Sequence, residues 1–313
     1  MKESGFEGLT EDCSISEIDE ETVIVSNVDI FTPIHDDPVI QGKITACNAT
    51  NDIFALNVRN IISYLSFLGV PDDQPEQVTT GIITGQRQFL QEFGWDVNGG
   101  HSIRNPYPLM GGIAIGMAKK DELIRKQIPD NVESGVLIIT KPIGLQAAMA
   151  TYRVLKEQPD FLNDFDPSMM MNAIELATQM MIMSNYNVVR AIHEEKLKPY
   201  VASMTDITGF GLKEHSAEMI EGVSFDISIE TMPVIVGTKE LSDWFGYDLT
   251  GGCAAETAGP MLIAIETSKI DPEEFQRVLR QYNIKSWNIG DFKPGSGRVT
   301  ISDDVNIINV DQY

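Results

Sequence analysis

The sequence predicts an α+β protein built as two domains, and three observations carry that expectation. At 313 residues the chain exceeds what a single hydrophobic core usually organises. Short β-branched runs alternate with longer stretches of helical periodicity in both halves. Between the halves, residues 119–134 are mostly polar and contain Pro129, a composition expected of an exposed connection. The domains are therefore expected at 1–120 and 133–313.

In the first half, Thr22 to Phe31 (TVIVSNVDIF) reads as a buried strand, which places Asp29 near its end. Residues 39–57 and 75–94 read as helices, with Asp52 on or just after the first, and Tyr107 to Ala118 reads as a strand. In the second half, a strand is expected over Gly135 to Thr140 and helices over 144–157 and 168–195. Strands over Val223 to Ile229 and 260–265, a helix over 271–282 and short C-terminal strands follow. Met169, Met170, Met171, Met180, Met181 and Met183 fall in the long helix and read as its apolar face.

Composition narrows the function. With 42% hydrophobic and 22% charged residues the chain is of globular type. Its 46 acidic against 23 basic residues give a net charge of −23, which opposes binding to nucleic acid and anionic membranes. The same field repels a nucleoside triphosphate, so an ATP site would need metal ions or backbone N–H groups to offset it. No apolar run approaches the roughly 18 residues of a membrane span, and the opening residues lack a signal peptide's apolar stretch. The three cysteines, Cys13, Cys47 and Cys253, form neither a Cys-x-x-Cys pair nor a disulfide framework. A cytoplasmic protein is expected. The sequon Asn48-Ala-Thr50 stands alone and is set aside.

Candidate chemistry centres on acids and glycines. Asp206 opens Asp-Ile-Thr-Gly-Phe-Gly-Leu212, where two glycines and the start of a helical pattern allow a carboxylate and backbone N–H groups to face one ligand. Asn98-Gly-Gly-His-Ser102 reads as a Gly-rich turn, in which the missing Cβ atoms permit close approach to phosphate. His101 within it suits nucleotide contact better than general acid–base work, because phosphoryl transfer depends mainly on positioning and charge neutralisation. His35, near Pro33 and Pro38, reads as a turn residue.

These segments, in order, resemble the selenophosphate synthetase family within the aminoimidazole-ribotide-synthetase-like superfamily. The resemblance rests on Val28-Asp-Ile-Phe-Thr-Pro33 with Asp36-Asp-Pro38, Ala46-Cys-Asn-Ala-Thr-Asn-Asp52, Gly99-Gly-His-Ser102, Ile139-Thr-Lys-Pro-Ile-Gly144 and Asp206-Ile-Thr-Gly-Phe-Gly-Leu212. It implies a two-domain fold whose N-terminal strands form a dimeric β-barrel, a C-terminal α/β sandwich, and a homodimer. It also implies Mg²⁺ bound by Asp12, Asp29, Asp52 and Asp206, with Asp12 matching the acid of Gly8-Leu-Thr-Glu-Asp12. ATP would be contacted by Thr10, Glu11, those four acids, Asn48, Gly99, Gly100, His101 and Ser102. The implied reaction converts ATP, selenide and water to selenophosphate, phosphate and AMP.

The family pattern further includes, upstream of the first acid, a Gly-rich segment with a cysteine or selenocysteine and a lysine. Eleven residues precede Asp12 here and Lys2 is the only basic one among them, so no such segment is expected. Cys13 is the candidate replacement nucleophile, disfavoured because Glu11 and Asp12 oppose formation of its thiolate. The Ala255-Glu-Thr-Ala-Gly-Pro260 stretch also departs from the family's Pro-x-Thr-Ser-Gly-Gly. Two other assignments stay open: a paralogue that phosphorylates a different small nucleophile, and a non-catalytic ATP-binding subunit that regulates a complete synthetase.

Overall fold

A computed structural model describes residues 11–313, among which two mixed sheets and their helices account for the fold. The first sheet contains β1 (Ser14–Glu17), β2 (Thr22–Phe31), β3 (Asn60–Val70), β4 (Gly99–Arg104) and β5 (Leu109–Lys119), ordered β1-β2-β5-β3-β4. Strand β2 alternates Val23, Val25 and Asn27 inward with exposed or half-exposed residues, the period-2 pattern of a sheet covered on one face. The covering helices are α1 (Pro38–Ala55) and α2 (Glu76–Gln91). Asp37 caps α1 by accepting from the Val39 and Ile40 N–H groups, and Pro38 takes the first helical position. The two helices cross backbone against backbone: a Cβ on Gly42 would lie 2.0 Å from the Ile82 carbonyl oxygen, and one on Gly85 2.0 Å from that of Val39.

The second sheet has six strands, ordered β11-β8-β10-β6-β9-β7. They are β6 (Gly135–Ile139), β7 (Val201–Asp206), β8 (Phe225–Ile235), β9 (Met261–Glu266), β10 (Trp287–Pro294) and β11 (Val299–Val310). Helices α3 (Leu145–Glu157), α4 (Pro167–Ile182), α5 (Tyr186–Glu194), α6 (Gly211–Met219), α7 (Thr238–Phe245) and α8 (Pro272–Gln281) pack around it. One face carries Leu137, Ile139, Ile227 and Leu262 against Leu212 and Met219 of α6. The other face carries Ile138, Ile263 and Ile265 against Val188 and Ile192 of α5 and Phe275 and Leu279 of α8.

Several expectations need correction. The helix expected over 168–195 is two helices, because Met183, Ser184 and Asn185 interrupt it and Asn185 turns its amide onto Asn51 Oδ1 and the Gly259 carbonyl. Gly99 to Ser102 is not a turn: it begins β4, which pairs in parallel with β3 at the sheet edge. Its glycine serves the ladder, since a Cβ on Gly100 would stand 2.1 Å from the Ser66 oxygen. The polar stretch 119–134 is no free connection either; Leu123, Ile124, Lys126, Ile128 and Val132 are all buried within it. Met170, Met180 and Met181 do enter the core, whereas Met171 is exposed. His35 sits in the bend before α1 and stacks on Tyr152, ring centroids 5.0 Å apart.

Candidate functional site

Elements of both sheets deliver acids to one point. Asp52 lies in the last turn of α1, Asp206 is the final residue of β7, and Asp12 lies just before β1. Oxygen atoms from these three carboxylates lie within 4.8 Å of one another. Asp206 is buried, and apart from the neighbouring Asp52 carboxyl its oxygens have no hydrogen-bond partner. Beside the acids is a cavity of about 10 Å³, the volume of a single water or ion, lined in part by Asp12, Asp52, Cys13, Lys126 and Thr205.

Asp29 approaches from β2, held by a 3.0 Å hydrogen bond from Asn27 Nδ2, which also donates to the Ala49 carbonyl of α1. Burial pushes its carboxyl up to about 6; Asn27 opposes that rise and the charge of Asp206 adds to it. Burial and the charges of Asp206, Asp29 and Asp12 push Asp52 well above the usual carboxylate range. Asp206 is raised chiefly by burial. These acids thus form an under-neutralised cluster, and a buried carboxylate without a donor is costly unless a cation meets it. Hard oxygen donors with an ion-sized space beside Asp12 and Asp52 fit Mg²⁺.

The other candidates separate. Thr10 lies outside the described residues. Glu11 pairs with Arg125 at 3.7 Å and accepts from the Lys126 N–H, its carboxyl raised by burial. Asn48 Oδ1 accepts from the Ala258 N–H at 2.7 Å and so joins α1 to the 254–260 loop. Gly99, Gly100, His101 and Ser102 are exposed on edge strand β4. They are not in the acid cluster: the register runs Asp29, Gly112, Ser66, Gly100 across the sheet, a span of about 14 Å at the usual strand spacing. A groove of about 470 Å³ lined by Ile61, Ser63, Trp95, Asp96 and Asn98 adjoins that strand and shares no residue with the acids. Cys13 is buried, and burial together with Asp52, Asp12, Asp206 and Glu11 pushes its thiol well above the ordinary range, so it is a poor nucleophile here.

Sequence reasoning missed a second layer. Lys126, 4% exposed, makes ion pairs with Asp12 and, at 2.9 Å, with Glu218 of α6. Glu218 takes a further bond from His215 Nδ1 at 3.1 Å, while His215 Nε2 accepts the Thr208 N–H at 3.1 Å. Burial works against the charge on Lys126, but Asp12 and Glu218 outweigh it and hold the ammonium above its usual range. Burial likewise opposes ionisation of Glu218, yet His215 and Lys126 bring it down to about 2. Deeper still, Lys141 Nζ donates to the carbonyls of Met180 (3.1 Å), Met183 (2.6 Å) and Ala258 (2.8 Å). The one signal present was the helical spacing in His215-x-x-Glu218.

Both halves match models of one protein class: the N-terminal domain of AIR synthase related proteins over residues 10–118 and the C-terminal domain over 133–302. The architecture agrees, since AaThiL complexed with AMPPCP and TMP superposes with a TM-score of 0.72 at 13% identity, covering 95% of this chain and 89% of that one. Within that class the relatives are more specific. Selenide, water dikinase of Methanococcus maripaludis is 36% identical over 310 residues, 97% of this chain and 90% of the relative. Selenide, water dikinase of Methanocaldococcus jannaschii is 37% identical over 308 residues, 97% of this chain and 86% of the relative. The chain belongs to the selenide, water dikinase (selenophosphate synthetase) family. Among the described residues no helix is long and apolar enough to cross a membrane.

Proposed function

We propose that this chain is an ATP-dependent phosphotransferase that converts ATP, selenide and water to selenophosphate, phosphate and AMP, with Asp12, Asp29, Asp52 and Asp206 holding Mg²⁺. Two P–O bonds of ATP break; one phosphoryl group joins selenium and the other joins the oxygen of water. The observation that carries the reading is the meeting of the Asp12, Asp52 and Asp206 carboxylates within 4.8 Å of one another, with an ion-sized cavity lined by Asp12 and Asp52 beside them. Bound there, Mg²⁺ would neutralise the polyphosphate and orient its terminal groups.

The protein's own groups do the rest. Asn27 fixes the Asp29 rotamer, and the β7 terminus presents Asp206 rigidly because the Ile207 N–H is bonded to the Pro260 carbonyl at 2.9 Å. The Gly99 to Ser102 strand, about 14 Å from Asp29, suits the base and ribose end of the nucleotide rather than its metal-bound phosphates. Val28, Ile30 and Met117, exposed, share the uncovered sheet face with half-buried Leu65, Phe67 and Ile113, an apolar surface suited to a second copy of the chain. The domains are assigned as 1–120 for ATP, Mg²⁺ and dimerisation and 133–313 for closure of the site.

The test is Mg²⁺-dependent turnover of ATP to AMP with and without selenide. Selenide-stimulated AMP release that disappears in Asp52→Asn and Asp206→Asn is expected. Turnover that survives both substitutions would remove the site, and stimulation by another small nucleophile in place of selenide would reassign the acceptor.

A further inference from the structure

The four acids leave unexplained why a lysine is buried beside them. Lys126 belongs to the segment joining the two halves, and that segment is tied to β7 by two bonds: the Lys126 carbonyl accepts from Ser203 Oγ, and the Arg125 carbonyl accepts from the Met204 N–H at 3.2 Å. Its ammonium therefore stands at a fixed place between Asp12 and Glu218. From Glu218 the chain of contacts continues to His215 and on to the Thr208 backbone, two residues beyond Asp206. The chain thus runs from Asp12, an acid of the cluster, to the turn that follows Asp206.

We propose that Lys126 is a positioning residue for the metal site, clamping Asp12 through Glu218 and His215 to the same turn that carries Asp206. Asp12 needs such a clamp more than its partners do. Its side chain is 41% exposed and it stands outside any helix or strand, whereas Asp52 and Asp206 sit on regular elements. Holding it beforehand spares the entropy of ordering it when a cation arrives. Lys126 and Glu218 together carry no net charge, so the clamp fixes geometry without repelling the cation.

The proposal rests on the acids being the metal site, and charge-balanced variants separate the two ideas. Mn²⁺ alone is titrated into the full chain without nucleotide, followed by electron paramagnetic resonance. Lys126→Met with Glu218→Gln removes the clamp at constant net charge; electrostatics alone predicts equal or tighter binding, because the lost ammonium is the charge nearer Asp12, whereas positioning predicts affinity weakened about tenfold or more. Lys126→Arg, which keeps both ion pairs within reach, is expected to restore most of it. Affinity equal to or tighter than wild type in the double variant, with Asp52→Asn abolishing binding, overturns the clamp and leaves the metal site standing. Unchanged binding in Asp52→Asn overturns both. Should the double variant not fold, His215→Gln breaks the chain one link further away: weakened Mn²⁺ binding supports the clamp and unchanged binding overturns it.

Discussion

Asp206→Asn should stabilise the metal-free protein and abolish its response to Mg²⁺. The carboxylate oxygens of Asp12, Asp52 and Asp206 lie within 4.8 Å. At that distance two unit charges repel by about 3.5 kcal/mol at an effective dielectric of about 20, and by about 0.9 in water. Asp12, 41% exposed, is screened by solvent, so the Asp52–Asp206 pair dominates. An acid can take up a proton instead of bearing the repulsion, which holds the net penalty to roughly 1–3 kcal/mol. Asparagine keeps the shape and removes the charge, so the metal-free melting temperature should rise by about 1.5 to 5 °C. Wild type should gain about 2.7 kcal/mol from Mg²⁺ at a hundred times its dissociation constant, and the variant almost none. Scanning calorimetry across a Mg²⁺ series would show the two stability curves crossing. A variant less stable than wild type without metal, and equally responsive to Mg²⁺, would refute the cluster as a cation site.

Other outcomes follow from the same structure. Burial raises Asp29 to about 6 and Glu256 to about 8, above their unfolded values, so both favour folding most below about pH 4 and lose that contribution as pH rises through the folded values. The metal-free melting temperature should fall between pH 5.5 and 8.5, and a flat or rising profile would contradict it; Glu218, at about 2, is ionised in both states there and adds no slope. Lys141→Met orphans the carbonyls of Met180, Met183 and Ala258 and should cost about 3 kcal/mol in urea unfolding. A loss under about 1 kcal/mol would show those carbonyls satisfied another way. Leu65→Glu on the uncovered sheet face should convert a dimer to monomer in sedimentation, and an unchanged dimer would place the interface elsewhere.

Asp206 stood out by the glycines that follow it, whereas the grouping of Asp12, Asp29, Asp52 and Asp206 as one metal site came from the family resemblance. Asp29 could be placed on a strand and Asp52 on a helix from periodicity alone. The Lys126 clamp could not: its members come from the joining segment and from α6, and its lysine stands among charged and polar neighbours that read as solvated surface. Strand β3 was passed over because Ser63 and Ser66 dilute its apolar alternation, although Ile61, Tyr64 and Leu68 are buried. Strand β4 was hidden by glycines whose job is close strand approach, a role that composition alone cannot distinguish from a turn.

The apolar cluster that contains Val23 and Val25 of β2 and Phe54 of α1 also contains Ile138, Ile263 and Phe275 of the second sheet. Asn51, Asn185 and Gly259 stitch polar groups across the same seam. Neither half can be exposed to water without stripping the other of its packing. Heat or urea should therefore meet a single cooperative block, melting in one transition whose calorimetric and van't Hoff enthalpies agree, and a half expressed alone should come out as a molten, aggregating chain.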